Sequence, residues 1–498
     1  GLGDSSPRVL PLTLLLTFWP KGLMFFVKLL WGRMKLEDQS RVVVVGGGPS
    51  GSLAAYFLLV MAERIGLHLQ VDIYEPRNFA RFGPVGCNMC AGVVSESMVQ
   101  ILAAEGINLP PLVVQRGIDS YHLHTSGLPV VSIATPTEEL RIATVYRGGG
   151  PRVPEGEGKW ISFDGYLLEM ACQRGARLIP RRVVEMGLAA DGRPQVACRT
   201  GEFTTYDLLI GAVGVNSGTL KQFEALGMSF HPPPVTRGFV SEVWMGEEAV
   251  QRYLGNAMHI FLLDIPRLKF AAVIPKVEYA TVCLLGEDID KELAERFMSA
   301  PETKSCFPPD LEWHHGQKSG CNIGQACQCG PRLNVGPAEH PYGDRVVLVG
   351  DAAVSRLYKD GIGAAYITAK ASVVTALFFG IAANDFHRQY APVVKRIARD
   401  NRVGKIIFWI TLFYQKILLL RRGMVRMVQE EAFRAGEQRI MSRVLWDTFT
   451  GSATYWDIFG RAMHPRFFIR LMRATLTSLW SRSENAATNS PLGTKGHD

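Results

Sequence analysis

The chain has 498 residues, 47% hydrophobic and 20% charged, enough for two or three buried cores and too apolar for a disordered chain. Its formal charge of +8 is unevenly spread: residues 386–482 carry 18 Lys/Arg against 6 Asp/Glu, which leaves the remainder net acidic. No nucleic-acid recognition motif accompanies that basic stretch, so nucleic acid is not expected as a partner.

Residues 1–39 form an apolar N-terminal extension. Two apolar runs, 10–19 and 23–31, are broken by Pro20-Lys21-Gly22. They read either as a membrane anchor or signal, or as a start assigned too far upstream, since Met34 precedes a short polar lead into the first strand.

Residues 42–51 read Val-Val-Val-Val-Gly-Gly-Gly-Pro-Ser-Gly. Four β-branched residues without alternation suit a parallel strand buried on both faces. Gly46, Gly48 and Gly51 then follow the G-x-G-x-x-G spacing, which serves a tight turn, close approach to a pyrophosphate, and close helix–strand packing. The helix that follows would aim its positive N-terminus at the phosphates, with Ser50 in its first turn. A second strand over 69–74 ends in Glu75, 24 residues beyond Gly51, where a ribose-binding carboxylate belongs.

Cys87-Asn-Met-Cys90 follows, and Cys327-Gln-Cys329 lies far downstream, with Cys306 and Cys321 before it. Nine cysteines in a chain that reads as cytosolic argue against a disulfide framework. Three readings stay open. Cys87/Cys90 are a redox dithiol, or Cys87, Cys90, Cys327 and Cys329 hold zinc or an iron–sulfur cluster, or all are unconnected reduced thiols. The spacing from Cys306 to Cys329 fits no metal-ligand motif, and His314-His315 read as surface residues.

Residues 162–179 read as helix, glycine stop and strand, and residues 206–217 as another strand ending near Gly214. Segments 96–160 and 230–335 contain strand-like pieces at 118–124, 239–244 and 270–274. Residues 344–351 close another apolar strand on Gly350-Asp351, and Asp360-Gly361-Ile362-Gly363 then opens a helix. Beyond residue 385 the chain is basic and apolar. Its uninterrupted run at 406–414 is too short to span a bilayer. Phe468, Met472, Leu476 and Leu479 share one helical face, with Arg466, Arg470 and Arg473 roughly opposite, the pattern of a helix lying in a membrane interface. Residues 483–498 read as a disordered tail.

The order of these elements over roughly residues 40–380 resembles the p-hydroxybenzoate hydroxylase-type flavoproteins. Phe163-Asp164 and the Cys90-Ala-Gly-Val-Val-Ser95 segment resemble the geranylgeranyl reductase family within them. The resemblance implies an α/β fold: a Rossmann-type FAD-binding domain (40–95, 161–229 and 336–384), an interleaved β-sheet substrate domain (96–160 and 230–335) and a helical C-terminal region (385–482). It also implies FAD as cofactor, bound by Gly46, Gly48, Ser50, Gly51, Glu75, Gly214, Gly350, Asp351, Gly361, Ile362 and Gly363. Cys90, Gly361 and Gly363 are the catalytic candidates. Two positions depart from the family pattern: Val213 follows Gly211-Ala212 where Asp is usual, and Tyr358 stands where proline is common. The first departure leaves NAD(P)H and ferredoxin both open as reductant.

The expected activity is hydride transfer from reduced flavin to a C=C bond of an isoprenoid or other lipophilic substrate. The alternatives are a monooxygenase of a lipophilic aromatic or quinone, electron transfer to a membrane quinone, and a flavin-binding protein without turnover. The expected location is peripheral, on the cytoplasmic face of a membrane, contacted through the C-terminal region.

Overall fold

In the computed structural model the described residues are 34–81, 83, 86–137, 141–148, 159–199, 201–311, 326–434 and 436–487. Residues 1–33, Cys321, His314-His315 and the end of the tail lie outside them. The chain is mixed α/β, built on two main sheets and a helical C-terminal layer.

The first sheet has six strands in the order Tyr342–Gly343, Val346–Leu348, Leu208–Gly211, Arg41–Val45, Gln70–Tyr74, Arg177–Ile179, all parallel except the first pair. Arg41–Val45 lies inside it, and its valines are buried on both sides. Val42 and Val44 enter the core beneath the helices, while Val43 and Val45 enter the core on the other face with Tyr206, Leu209 and Phe223. An uninterrupted β-branched run is what such a strand requires. The helices Pro49–Arg64, Phe163–Gln173 and Gly361–Val374 cover the first face.

The second sheet has seven strands, in the order Ala326–Cys329, Phe239–Trp244, Tyr279–Gly286, Leu268–Pro275, Ala257–Leu262, Ser120–Thr125, Val131–Ala134. All pairs are antiparallel except Ala257–Leu262 with Ser120–Thr125. Alternation separates its faces. Tyr121, Leu123, Met258 and Ile260 pack against the C-terminal helices, whereas Phe261, Val273 and Leu284 pack on the helix Lys291–Ser299.

The C-terminal region is therefore part of the core as well as a surface. Trp446 is 0% exposed and stacks on Tyr121 with ring centroids 4.2 Å apart. Phe270 stacks on Phe408 and tilts against Phe449. The outward residues differ: Trp409 is 60% exposed, and Phe413, Phe468, Ile469, Met472 and Leu476 are exposed too. Phe467, Leu471 and Ala474 turn the inner side of the last helix to the core. The helices Ala391–Lys416 and Leu418–Glu431 meet at a bend of 102°. The last helix, Pro465–Ala487, runs past residue 482, so residues 483–487 are helical where the sequence suggests a disordered tail.

Trp446→Ala is expected to cost about 3–5 kcal/mol of stability, the usual cost of emptying a buried aromatic site. Trp409→Ala should change stability by no more than about 0.5 kcal/mol, as for an exposed side chain. Denaturant unfolding of the two variants beside the parent checks the contrast.

Candidate functional site

The glycine turn is built where the central strand meets its helix. Gly46 has φ +106°, and a Cβ there would lie 2.4 Å from the Ala212 carbonyl oxygen. A Cβ on Gly51 would lie 1.8 Å from the Gly46 carbonyl oxygen, so the helix can rest this close to the strand only as glycine. Gly48 differs. A Cβ there would meet only Asn88 Nδ2, at 3.5 Å, so this part of the backbone borders open space at the N-terminus of the helix Pro49–Arg64. That combination, bare backbone and a positive helix end, suits an anionic phosphate. Glu75 is buried at the end of the second strand; its Oε2 accepts from the Gly47 N–H at 2.8 Å and its Oε1 from the Arg77 N–H at 2.8 Å. The carboxylate is thus fixed by the turn itself.

The second half comes from three hundred residues downstream. Gly350 has φ +63°, donates its N–H to Thr368 Oγ1 at 2.9 Å, and leaves room for Ser50, whose Oγ would stand 2.5 Å from a Cβ there. Ser50 therefore seals the junction between the two segments. Asp351 follows in a short 3-10 turn, and burial pushes its carboxyl above the usual range. A Cβ on Gly361 would lie 3.9 Å from Asp351 Oδ1, so the two face one another. Asp360, in a left-handed conformation at φ +47°, caps the helix by accepting the Gly363 N–H at 3.0 Å. The Asp360 carboxylate also fills the space beside Gly363, where a Cβ would lie 2.2 Å away. Gly363 thus serves the cap, Ile362 points into the core, and Gly361 is the member of the trio that is exposed. Gly214, at φ +62°, has open space beside its Cα. Val213, at the departure from the family pattern, packs partly buried with Leu209 and Leu348.

Cys90 lies in a polar shell that sequence reading missed. It lies close enough to Arg147 for the guanidinium charge to act on its sulfur. Arg147 holds Asp164 in two parallel bonds, Nε to Oδ2 at 2.7 Å and Nη2 to Oδ1 at 2.6 Å, with both side chains buried. Asn88 Nδ2 donates to Asp164 Oδ1 at 2.8 Å, and Asn88 Oδ1 accepts from Arg77 Nη1 at 2.8 Å. The Cys90 loop and the Phe163-Asp164 helix, separate signals in the sequence, are joined by this chain of bonds. Lys276 closes the apolar strand Leu268–Pro275 and donates to the carbonyls of Ala91, Gly92 and Val145. Burial lowers its ammonium to about 8. A lysine directly after the apolar run Phe270–Pro275 was the signal available for it.

The cysteines sort differently from the sequence alternatives. Cys87 and Cys90 are free thiols, and burial pushes Cys87 up to about 12, which disfavours its thiolate. Burial likewise pushes Cys329 to about 12. Cys327 is disulfide-bonded, so it is neither a thiolate ligand nor one of a set of unconnected reduced thiols. The set Cys87, Cys90, Cys327 and Cys329 does not converge on an ion. Among the described residues, the one group with converging metal-type ligand atoms lies elsewhere, at His124, His259 and Cys306.

Asp164→Ala is expected to cost about 3–5 kcal/mol, because Arg147 is left as an unpaired buried charge. Replacing both partners by Met and Leu should recover most of that loss, and denaturant unfolding of the three proteins checks it.

No family model matches the chain, and no curated protein matches it. Solved structures do. p-Nitrophenol 4-monooxygenase PnpA from Pseudomonas putida aligns with a TM-score of 0.53 at 14% identity, covering 83% of this chain and 98% of its own. Halogenase PltM aligns with a TM-score of 0.53 at 14% identity, covering 92% and 98%. A mutant of PltM in complex with FAD aligns with a TM-score of 0.52 at 13% identity, covering 90% and 93%. The chain has the fold of the p-hydroxybenzoate hydroxylase-like FAD-binding flavoproteins.

Proposed function

We propose that the chain is an FAD-dependent oxidoreductase whose cofactor is held jointly by residues 46–51 and 350–363. The observation that carries this is the closure of the two glycine segments on each other through Ser50 and Gly350. The open backbone at Gly48 and the helix end behind it receive the pyrophosphate, and Glu75 accepts hydrogen bonds from ribose hydroxyls. Asp351 accepts hydrogen bonds from ribityl hydroxyls, and Gly361 lets the chain pass the ring system without a side chain between them. Bound and reduced, FAD supplies a hydride at its N5.

The finer reading is reduction of a C=C bond in an apolar, isoprenoid-like substrate. Cys90 Sγ–H holds the proton that the second alkene carbon takes up. The cationic side chains of Arg147 and Lys276 lie beside that sulfur and offset the negative charge left when the proton departs. The exposed apolar side chains Trp409, Phe413, Phe468 and Met472 support delivery of such a substrate from a membrane surface, in a peripheral protein on the cytoplasmic face. The fold likeness to a p-nitrophenol monooxygenase and to halogenases favours a second reading, oxygen insertion into a lipophilic aromatic.

Anaerobic reduction of the purified protein by NADPH, NADH and ferredoxin in turn identifies the donor. The primary reading predicts that a polyprenyl substrate then reoxidises the flavin without oxygen, in one-to-one yield of saturated product. Product that forms only with oxygen consumption selects the second reading instead. Cys90→Ala should keep the flavin spectrum and slow the reductive turnover by about 10²–10⁴-fold, the usual weight of a positioned proton donor. Unchanged turnover in that variant rules Cys90 out as the donor.

A further inference from the structure

The outer face of the seven-stranded sheet carries a group of side chains that the proposed flavin chemistry does not use. The strands Ser120–Thr125 and Ala257–Leu262 pair in parallel with His122 beside His259 and His124 beside Phe261. His122, His124 and His259 therefore leave the sheet on the face opposite Tyr121, Leu123 and Met258, away from the C-terminal helices. Cys306 arrives from the turn after the helix Pro301–Lys304, with its N–H bonded to the Thr303 carbonyl. His124, His259 and Cys306 are 2%, 5% and 1% exposed.

Their polar atoms meet at one point. His124 Nε2 lies 2.9 Å from His259 Nδ1, and Cys306 Sγ lies 3.2 Å from His259 Nδ1 and 3.9 Å from His124 Nε2. The His124 ring is stacked on Phe261 at 4.4 Å, which fixes its plane. The remaining ring nitrogens, His124 Nδ1 and His259 Nε2, are buried and have no hydrogen-bond partner among the described residues. Buried polar groups in native proteins are nearly always satisfied, so a set this poorly served by its own protons needs another reason to exist. Around a tetrahedral zinc ion, bonds of about 2.0–2.1 Å to nitrogen and 2.3 Å to sulfur set ligand atoms roughly 3.3–3.6 Å apart. The three observed separations bracket that range, and adjustments of a few tenths of an ångström, roughly, would seat the ion. The same three residues line a cavity of about 400 Å³ together with His122, Ser132 and Ser305, which leaves room for a fourth ligand.

We propose that His124, His259 and Cys306 bind one zinc-type divalent transition-metal ion, with its fourth position open to this cavity. Two imidazoles and a thiolate are a borderline-soft donor set, suited to zinc rather than to magnesium or calcium. Binding releases the Cys306 proton to solvent, and both imidazoles bind through lone pairs without any redox change. The ligands come from residues 124, 259 and 306, so no local spacing motif announces them. The site lies across the sheet from the C-terminal helices, and its occupancy is read without any flavin turnover.

The test uses the full-length protein stripped with chelator, then titrated with Co²⁺ and, separately, with Zn²⁺ followed by desalting and metal analysis. The proposal predicts one equivalent of either ion per chain, with a near-ultraviolet thiolate-to-cobalt charge-transfer band for Co²⁺. Cys306→Ser should abolish that band and His259→Gln should lower zinc affinity at least tenfold, with circular dichroism unchanged in both. A folded parent protein that retains no zinc and develops no cobalt band overturns the proposal. So does a Cys306→Ser variant with the parent's band, because other thiols then bind the ion.

Discussion

The strand Arg41–Val45 can end in its tight glycine turn only because the chain around Gly46, Gly51 and Gly350 carries no side chains. A Cβ at Gly51 would sit inside the Gly46 carbonyl, one at Gly46 would press on Ala212, and one at Gly350 would collide with Ser50. These three close approaches bring the helix Pro49–Arg64, the strand Leu208–Gly211 and the turn Gly350–Ala352 around one small volume. Everything attributed to the cofactor, from the Glu75 carboxylate to the Asp360 cap, is oriented from that junction.

The seven-stranded sheet stands on this base with two differently used faces. One face is roofed by the C-terminal helices through Tyr121, Trp446, Phe270 and Phe408. Directly after the strand Leu268–Pro275, Lys276 is bonded to the backbone carbonyls of Ala91 and Gly92, just past Cys90. The other face carries the imidazole and thiol cluster. Period-two alternation along Ser120–Thr125 separates these uses, because neighbouring residues such as Leu123 and His124 serve opposite sides.

Much of the six-stranded sheet and its glycine turn was legible in the sequence because its constraints are local. Consecutive valines, three glycines at fixed spacing and an acid at the end of the next strand each follow from backbone geometry within a few residues. The roles of Gly361 and Gly363 were less legible. Both read as glycines opening a helix, yet Gly363 yields its space to Asp360 while Gly361 stays open. The shell around Cys90 was not legible at all, since Arg147, Asp164 and Lys276 meet only through tertiary packing. The same holds for His124, His259 and Cys306. The basic, apolar C-terminal region was half legible: its outer stripe is exposed as the periodicity implies, while its inner stripe forms core with a sheet that periodicity could not name.

The central claim is that one FAD is held by both glycine segments, and FAD titration of two variants tests it most directly. Gly48 and Gly361 are glycines where an added side chain meets no backbone, so Gly48→Val and Gly361→Val should fold as the parent does. The account predicts that each binds FAD at least tenfold more weakly than the parent, a loss of about 1.4 kcal/mol or more. Parent affinity in Gly361→Val, with weakened binding in Gly48→Val alone, would contradict it, because the downstream segment would then take no part in holding the cofactor.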